Sequence, residues 1–223
     1  MFFLCAANIF AGPSPEPLEK IFYAISPLGS SEYHNFGLVD FGGRKANLVI
    51  FKTSVAGFTD TEKIYSDPQS GFPLFVERNI SFLFRKEYLT EEYSLSENKV
   101  VISKFEGKKK VKEYIFKAKG GPIHNGVLLP FSLRRVPQLF IGWTMNIRLP
   151  AEFKVKLVST EDVTVPAGKF KAYHFTSDPP KFEIWISQDN LRLPVKIKGL
   201  GGLSYTLAME KRIIKGQDQA GKK

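Results

Sequence analysis

The sequence predicts an all-β protein: a curved antiparallel sheet forming an open or incomplete barrel, with little helix. Apolar and polar residues alternate with a period of two along most of the chain after residue 17, which is typical of half-buried strands. Turn residues separate these runs at intervals of about 8–12 residues, a spacing that favours a meander closing into a sandwich or barrel. Phe occurs 20 times in 223 residues, and aromatic side chains fit a pleated, half-buried surface.

The alternating runs predict the strands in order along the chain. Between two of them, residues 106–110 (EGKKK) predict a hairpin turn. Helical potential is limited to a turn or two at 131–139, because Pro130 and Pro137 restrict it. The main expected strands are 21–25, 47–53, 80–85, 87–95, 99–105, 111–119, 153–158, 170–176, 181–187, 193–198 and 203–210.

The first residues predict export. Residues 1–12 carry no charge and resemble the apolar part of a secretory signal, although a buried first strand is an alternative. They are too few to span a bilayer, which takes about 20 apolar residues, and we expect no transmembrane span in the mature chain. The expected organisation is a signal-peptide remnant at 1–12, a linker at 13–16, a single β-rich domain at 17–212 with halves 17–119 and 120–212, and a disordered tail at 213–223.

Few residue types here suit catalysis or metal binding. The single Cys5 excludes an intrachain disulfide and a cysteine-based zinc cluster. The three histidines, His34, His124 and His174, are far apart in the sequence, and no GxSxG nucleophile elbow is present. We therefore expect no enzyme activity, no catalytic residues, no metal site and no cofactor. For His174, inside an alternating run, we expect a cross-strand packing role.

The charge predicts anionic partners. Lys and Arg number 32 against 22 Asp and Glu, a formal net charge of +10, which attracts anionic surfaces over long range. Charge alone would also suit nucleic acid, but an exported protein rarely meets it, and we expect no nucleic acid. The expected partners are an anionic lipid or glycolipid, or an envelope protein, and contact with a membrane surface is also open.

One apolar stretch, residues 127–149 (VLLPFSLRRVPQLFIGWTMNIRL), leaves three interpretations open. It is a central strand pair with a corner, a flap over an apolar cavity, or a patch at a membrane surface, where Trp and Arg are favoured. Met and aromatic residues give adaptable apolar walls that suit acyl chains.

Three turn-containing segments occur in a distinctive order: SDPQSGFP at 66–73, TVPAGKFKAYHF at 164–175 and WISQDNLRLPVKI at 185–197. Together they resemble the bacterial exported family known as domain of unknown function 3108. The resemblance covers about 17–212 and is strongest at 163–198. It implies a β-rich protein of the Gram-negative periplasm and brings no catalytic set with it.

These observations predict a periplasmic protein that binds or carries a lipid, lipoprotein or glycolipid. A rolled sheet rich in Phe can enclose an apolar interior, and basic residues at its mouth can hold an anionic head group. The alternative is a non-catalytic envelope module that recognises protein or peptidoglycan through its surface. The candidate wall residues are Phe131, Phe140, Trp143, Met145, Phe182 and Trp185, and the candidate rim residues are Lys108, Arg134 and Arg135.

Overall fold

The computed structural model describes residues 16–83, 85–200 and 204–216. These residues form one antiparallel sheet of fourteen strands and one short helix, which confirms the predicted fold class. The elements are β1 Glu19–Ser26, β2 Ser30–Phe41, β3 Arg44–Val55, β4 Phe58–Ser66, β5 Pro73–Phe82, β6 Arg85–Ser94, β7 Lys99–Glu106, β8 Lys109–Lys117, α1 Leu129–Leu133, β9 Thr144–Leu149, β10 Ala151–Val165, β11 Gly168–Asp178, β12 Phe182–Ser187, β13 Pro194–Gly199 and β14 Tyr205–Ile214.

The sheet is built from two meanders that meet at its centre. Strands β1 to β8 run from the centre to one edge, and β9 to β14 run from the opposite edge back to the centre, where β14 pairs with β1. The two edges, β8 and β9, do not pair with each other among the described residues. The barrel is therefore incomplete, as the sequence predicts.

The predicted corners form tight turns. The β10–β11 turn consists of Pro166 and Ala167, and β13 begins at Pro194, where a sheet tolerates a residue without an amide donor. The turn expected at 106–110 lies between β7 and β8. The single strand expected at 80–85 is wrong, because the chain turns at Leu83, whose φ is +52°.

The chain crosses from edge β8 to edge β9 through the interior of the curved sheet. We call residues 123–135 of this crossing the plug; it contains α1, and its apolar side chains are buried. The expected strand pair is wrong here, since only Thr144–Leu149 of the apolar stretch is a strand. Pro130 fits the first turn of α1 because its missing amide hydrogen has no partner there anyway.

The plug joins the two meanders in one core. Leu128 and Phe131 belong to a cluster that contains residues of β1 to β5 and also of β10 to β14, and Phe131 stacks on Tyr33 of β2 with ring centroids 3.6 Å apart. Leu129 and Leu133 belong to a second cluster with β9 to β12. The interior of the barrel is thus largely filled. The second cluster comprises Leu129, Leu133, Ile147, Val155, Leu157, Phe175, Ile184 and Ile186.

Candidate functional site

A half-open cavity of about 260 Å³ lies between the β4–β5 turn, the plug and β9. One side of its lining is apolar and the other is polar, and no Asp or Glu of the described residues lines it. The apolar side consists of Phe72, Pro73, Leu128, Leu129 and Met145, and the polar side includes Ser70, His124, Asn125, Ser132 and Arg135.

The β4–β5 turn is held rigid by the side chain of Asp67. Its Oδ1 accepts hydrogen bonds from the backbone N–H groups of Gln69 (3.1 Å) and Ser70 (2.7 Å) and from the Ser70 hydroxyl (2.8 Å). The bonds from Ser70 lower the pKa of the Asp67 carboxyl, since they favour its charged form. This turn presents Phe72 to the cavity in one fixed position.

Arg135 supplies the positive charge of the cavity. The side chain is exposed, and it forms no ion pair with any other described residue. It lies against Gly71, where an added Cβ would be 3.0 Å from Arg135 Nη1. Gly71 has a φ of +74°, a backbone conformation that favours glycine, and any larger residue there would have to displace the Arg135 guanidinium slightly.

His124 is neutral at physiological pH. Burial, together with the nearby charge of Arg148, lowers the pKa of His124 to about 4. The backbone N–H of Arg148 donates to His124 Nδ1 (3.3 Å), and the His124 ring lies edge-on to Phe72 with centroids 4.9 Å apart. The cavity therefore combines one free cation with a neutral imidazole, which suits an anionic group beside an apolar one.

Ion pairs anchor the end of the plug to the centre of the sheet. Arg134 Nη1 donates to Glu19 Oε2 (3.1 Å), and Arg212 Nε donates to Glu19 Oε1 (2.6 Å). Burial alone would raise the pKa of Glu19, but the two arginines more than offset it, and the pKa is lowered. Arg134 also donates to the Leu191 carbonyl, so the hydrogen bonds of this guanidinium hold the plug in place.

A second polar cluster faces the plug from β4 to β6. The Arg78 guanidinium donates to both carboxylate oxygens of Asp60, and its Nε lies 3.8 Å from Glu62 Oε1. Burial raises the pKa of Glu62 to about 7; Arg78 opposes this shift, while Asp60 adds to it. Asn125 of the plug faces Glu62. A single arginine, Arg78, thus compensates the charge of several buried carboxyl groups. Because this compensation is incomplete, Glu62 takes up a proton near neutral pH.

The predicted site residues are only partly gathered. Met145 and Arg135 line the cavity together. Phe131 is buried in the core against Tyr33, Trp143 packs edge-on to Phe175, and Phe182 packs against Phe153. These three side chains contribute to packing and do not line the cavity.

The remaining candidates lie elsewhere. Phe140 is exposed in the crossing segment, and Lys108 is exposed in the β7–β8 turn. Trp185 is buried, stacks on His174 at 4.3 Å and donates from Nε1 to Glu161 (2.5 Å). The predicted cross-strand packing role of His174 is therefore confirmed. The structure does not test ligand binding by any of the nine residues, and it remains a prediction.

Several cavity residues were not predicted from the sequence. The sequence predicts only a turn for Gly71 and Phe72, and His124 has no second histidine near it in the sequence. Leu128 and Leu129 belong to an apolar run whose helical form depends on contacts with distant strands. The Gly71–Phe72–Pro73 corner was the only local indication that an aromatic side chain would be held in a fixed orientation.

Comparisons with known proteins support the fold. One solved structure with a similar fold is the β-barrel-like protein of domain of unknown function DUF1849 from Brucella abortus; TM-score 0.53, identity 11%, covering 90% of this chain and 98% of that one. Another matching solved structure is a "putative lipoprotein" from Parabacteroides distasonis, at 11% identity and covering 90% of this chain and 97% of that one; its TM-score of 0.28 does not bear on the fold. No protein-family model and no curated protein matches. The chain thus shares its fold with a β-barrel-like protein of unknown function, and these comparisons do not show the more specific resemblance to family 3108.

The only helix in the described ranges is the five-residue α1, and none there is long and apolar enough to cross a membrane.

Proposed function

We propose that this chain is a non-enzymatic binding protein of the Gram-negative cell envelope that takes an anionic lipid or glycolipid in the cavity beside Arg135. The proposal retains the resemblance to the domain of unknown function 3108 family and, with it, export to the periplasm. The observation that carries it is the pairing of a free guanidinium with an apolar floor inside one cavity.

The geometry sets the size of the ligand. Sites for drug-sized ligands occupy about 300–1,000 Å³, and this cavity of about 260 Å³ lies just below that range. The plug occupies the rest of the interior, so the cavity would take a head group and part of one acyl chain. Arg135 would bind the head group, and Phe72, Leu129 and Met145 would contact the chain.

A second candidate function is an envelope module that recognises a protein. The specific observation in its favour is strand β8, in which every residue is exposed and which carries apolar side chains at the edge of the sheet. This candidate uses a different surface and does not exclude the first.

The binding proposal is tested by calorimetric titration with dodecanoate and with dodecyltrimethylammonium, which share a chain and differ in head-group charge. We expect dodecanoate to bind and the cation not to bind. Arg135→Gln should weaken dodecanoate binding about tenfold, because a charge-assisted hydrogen bond is lost. Mass spectrometry of the purified protein under native conditions should show a retained acidic lipid.

The matched control is Arg85→Gln, which removes an exposed arginine from β6, away from the cavity. This control should bind dodecanoate like the unaltered protein. If both variants lost dodecanoate affinity equally, the effect would be one of net charge, and the proposed binding site would be wrong. If dodecanoate does not bind and no lipid is retained, the proposed function is wrong.

A further inference from the structure

The two edges of the sheet are protected very differently. At β9, the backbone N–H of His124 donates to the Arg148 carbonyl (2.7 Å), so the plug covers part of this edge. At β8, all nine residues are exposed, and no backbone hydrogen bond beyond the β7–β8 ladder involves them in the described chain. In an edge strand, alternate N–H and C=O groups point away from the neighbouring strand. Strand β8 therefore offers a row of free backbone groups.

Strand β8 also exposes apolar side chains. Val111 is 40% exposed, Tyr114 43%, Ile115 62% and Phe116 39%. Three of them are consecutive, so both faces of the strand carry apolar surface. Edge strands that are built to prevent pairing are short, interrupted by proline or covered with charges. Strand β8 instead has nine extended residues, no proline and a large apolar surface.

The charge of β8 selects the kind of partner. The strand carries four lysines and one glutamate. Lys110 pairs with Glu113, and Lys112 lies over the Tyr114 ring at 4.8 Å. Lys109 and Lys117 have no ion-pair partner within the described residues. Pairing of β8 with a second copy of itself would bring like charges together, which is destabilising in cross-strand pairs. An acidic strand would meet opposite charges instead.

We propose that β8 is a docking strand for an extended acidic segment of a partner protein, which adds to the sheet as a fifteenth strand. Backbone hydrogen bonds supply the affinity in this mode of recognition, and alternate side chains supply the specificity. Here the lysines select acidic side chains, and Val111 and Ile115 contact apolar ones. The site is separate from the cavity beside Arg135 and does not depend on the ligand proposed for it.

The probe is a blocked nine-residue peptide in which Glu alternates with Val, and its counterpart has Lys in place of Glu. Binding is measured by fluorescence anisotropy. We expect the acidic peptide to bind and the basic one not to bind. The variant K109E/K112E/K117E should weaken acidic-peptide binding at least tenfold. The control K45E/K169E/K171E makes the same charge change on strands paired on both sides, and should stay within twofold of the unaltered protein.

Two N-methylated peptides separate strand pairing from simple charge attraction. Methylating alternate amides blocks one edge of an extended peptide and leaves the other edge free. We expect one isomer to lose at least tenfold in affinity and the other to stay within threefold of the parent peptide. Equal binding of both isomers would overturn the proposal, as would absence of peptide binding. Binding to phosphatidylglycerol vesicles without peptide binding, or dimerisation lost in K109E/K112E/K117E, would also overturn it, in favour of a membrane contact or a second copy.

Discussion

The plug meets the two meanders of the sheet through different kinds of contact. Towards β9 to β12 the contact is apolar, with Leu129 and Leu133 in a cluster of fully buried aliphatic and aromatic side chains. Towards β1, β4 and β6 the contact includes charged and polar groups, with Arg134 on Glu19 and Asn125 facing Glu62. Apolar burial is insensitive to pH, whereas buried carboxyl groups are not. The apolar contacts therefore set how firmly the plug is held, and the titratable groups at its margins, Glu62 on the polar side and His124 beside β9, make part of that stability depend on pH.

The largest expected loss of stability comes from weakening the apolar contacts of the plug. Leu133 is completely buried, and Leu133→Ala should lower the free energy of unfolding by about 4 kcal/mol, through lost burial and the cavity left behind. Urea denaturation measures this change. The control Leu38→Ala removes a side chain that is 63% exposed and should change stability by less than about 0.5 kcal/mol. A loss below about 1 kcal/mol in Leu133→Ala would mean that the plug is not an integral part of the core.

The next largest change in stability is expected at the polar contacts of the plug. Glu62 has its pKa raised by burial from 4.5 to about 7, so the folded protein holds a proton that the unfolded chain has released. The stabilising contribution is complete below pH 4.5 and is lost as pH rises through about 7, which amounts to up to about 3 kcal/mol. Glu62→Gln stays neutral, and its free energy of unfolding should rise relative to the unaltered protein over this window.

The measurement is urea denaturation at several pH values between 4 and 8. Glu92→Gln serves as the control, because it removes an exposed carboxylate from β6, two strands away from β4 in the same sheet. That control should leave the shape of the pH profile unchanged. Parallel profiles for Glu62→Gln and the unaltered protein would contradict the buried-carboxyl account.

The sequence predicted the sheet but not the contents of its interior. Period-two alternation and the Asp67, Pro166 and Pro194 corners are local features, and they sufficed for the strands and turns. The plug is only partly local: the sequence predicts a helical turn or two in this run, but the burial of its apolar side chains depends on strands that are distant in the sequence. The same limit applies to Glu62, which alternates like any strand residue and becomes buried only when Asn125 is brought over it.

Of the nine candidate site residues, the structure gathers only Met145 and Arg135 at the cavity. Composition could indicate aromatic and basic residues suited to a ligand, but not which face of a strand each would occupy. Trp185 illustrates the difficulty, because it stacks on His174 and belongs to the cluster of Leu128 and Phe131. The flanking Ile184 and Ile186 belong instead to the cluster of Leu129 and Leu133.

The smallest expected effect is at His124, where stability changes with pH in the direction opposite to that at Glu62. His124 lies where the plug meets β9, and burial lowers its pKa from 6.5 to about 4. The folded protein keeps this imidazole neutral while the unfolded chain takes up a proton, so its stabilising contribution is complete above pH 6.5 and is lost as pH falls through about 4. Allowing for its partial exposure, we expect about 2 kcal/mol. His124→Gln should therefore flatten the rise in stability between pH 4 and 6.5.

In the unaltered protein this rise opposes the fall caused by Glu62 over nearly the same window, and the two variants should shift the pH profile of stability in opposite directions. Shifts in the same direction would show that the two sides of the plug do not titrate separately.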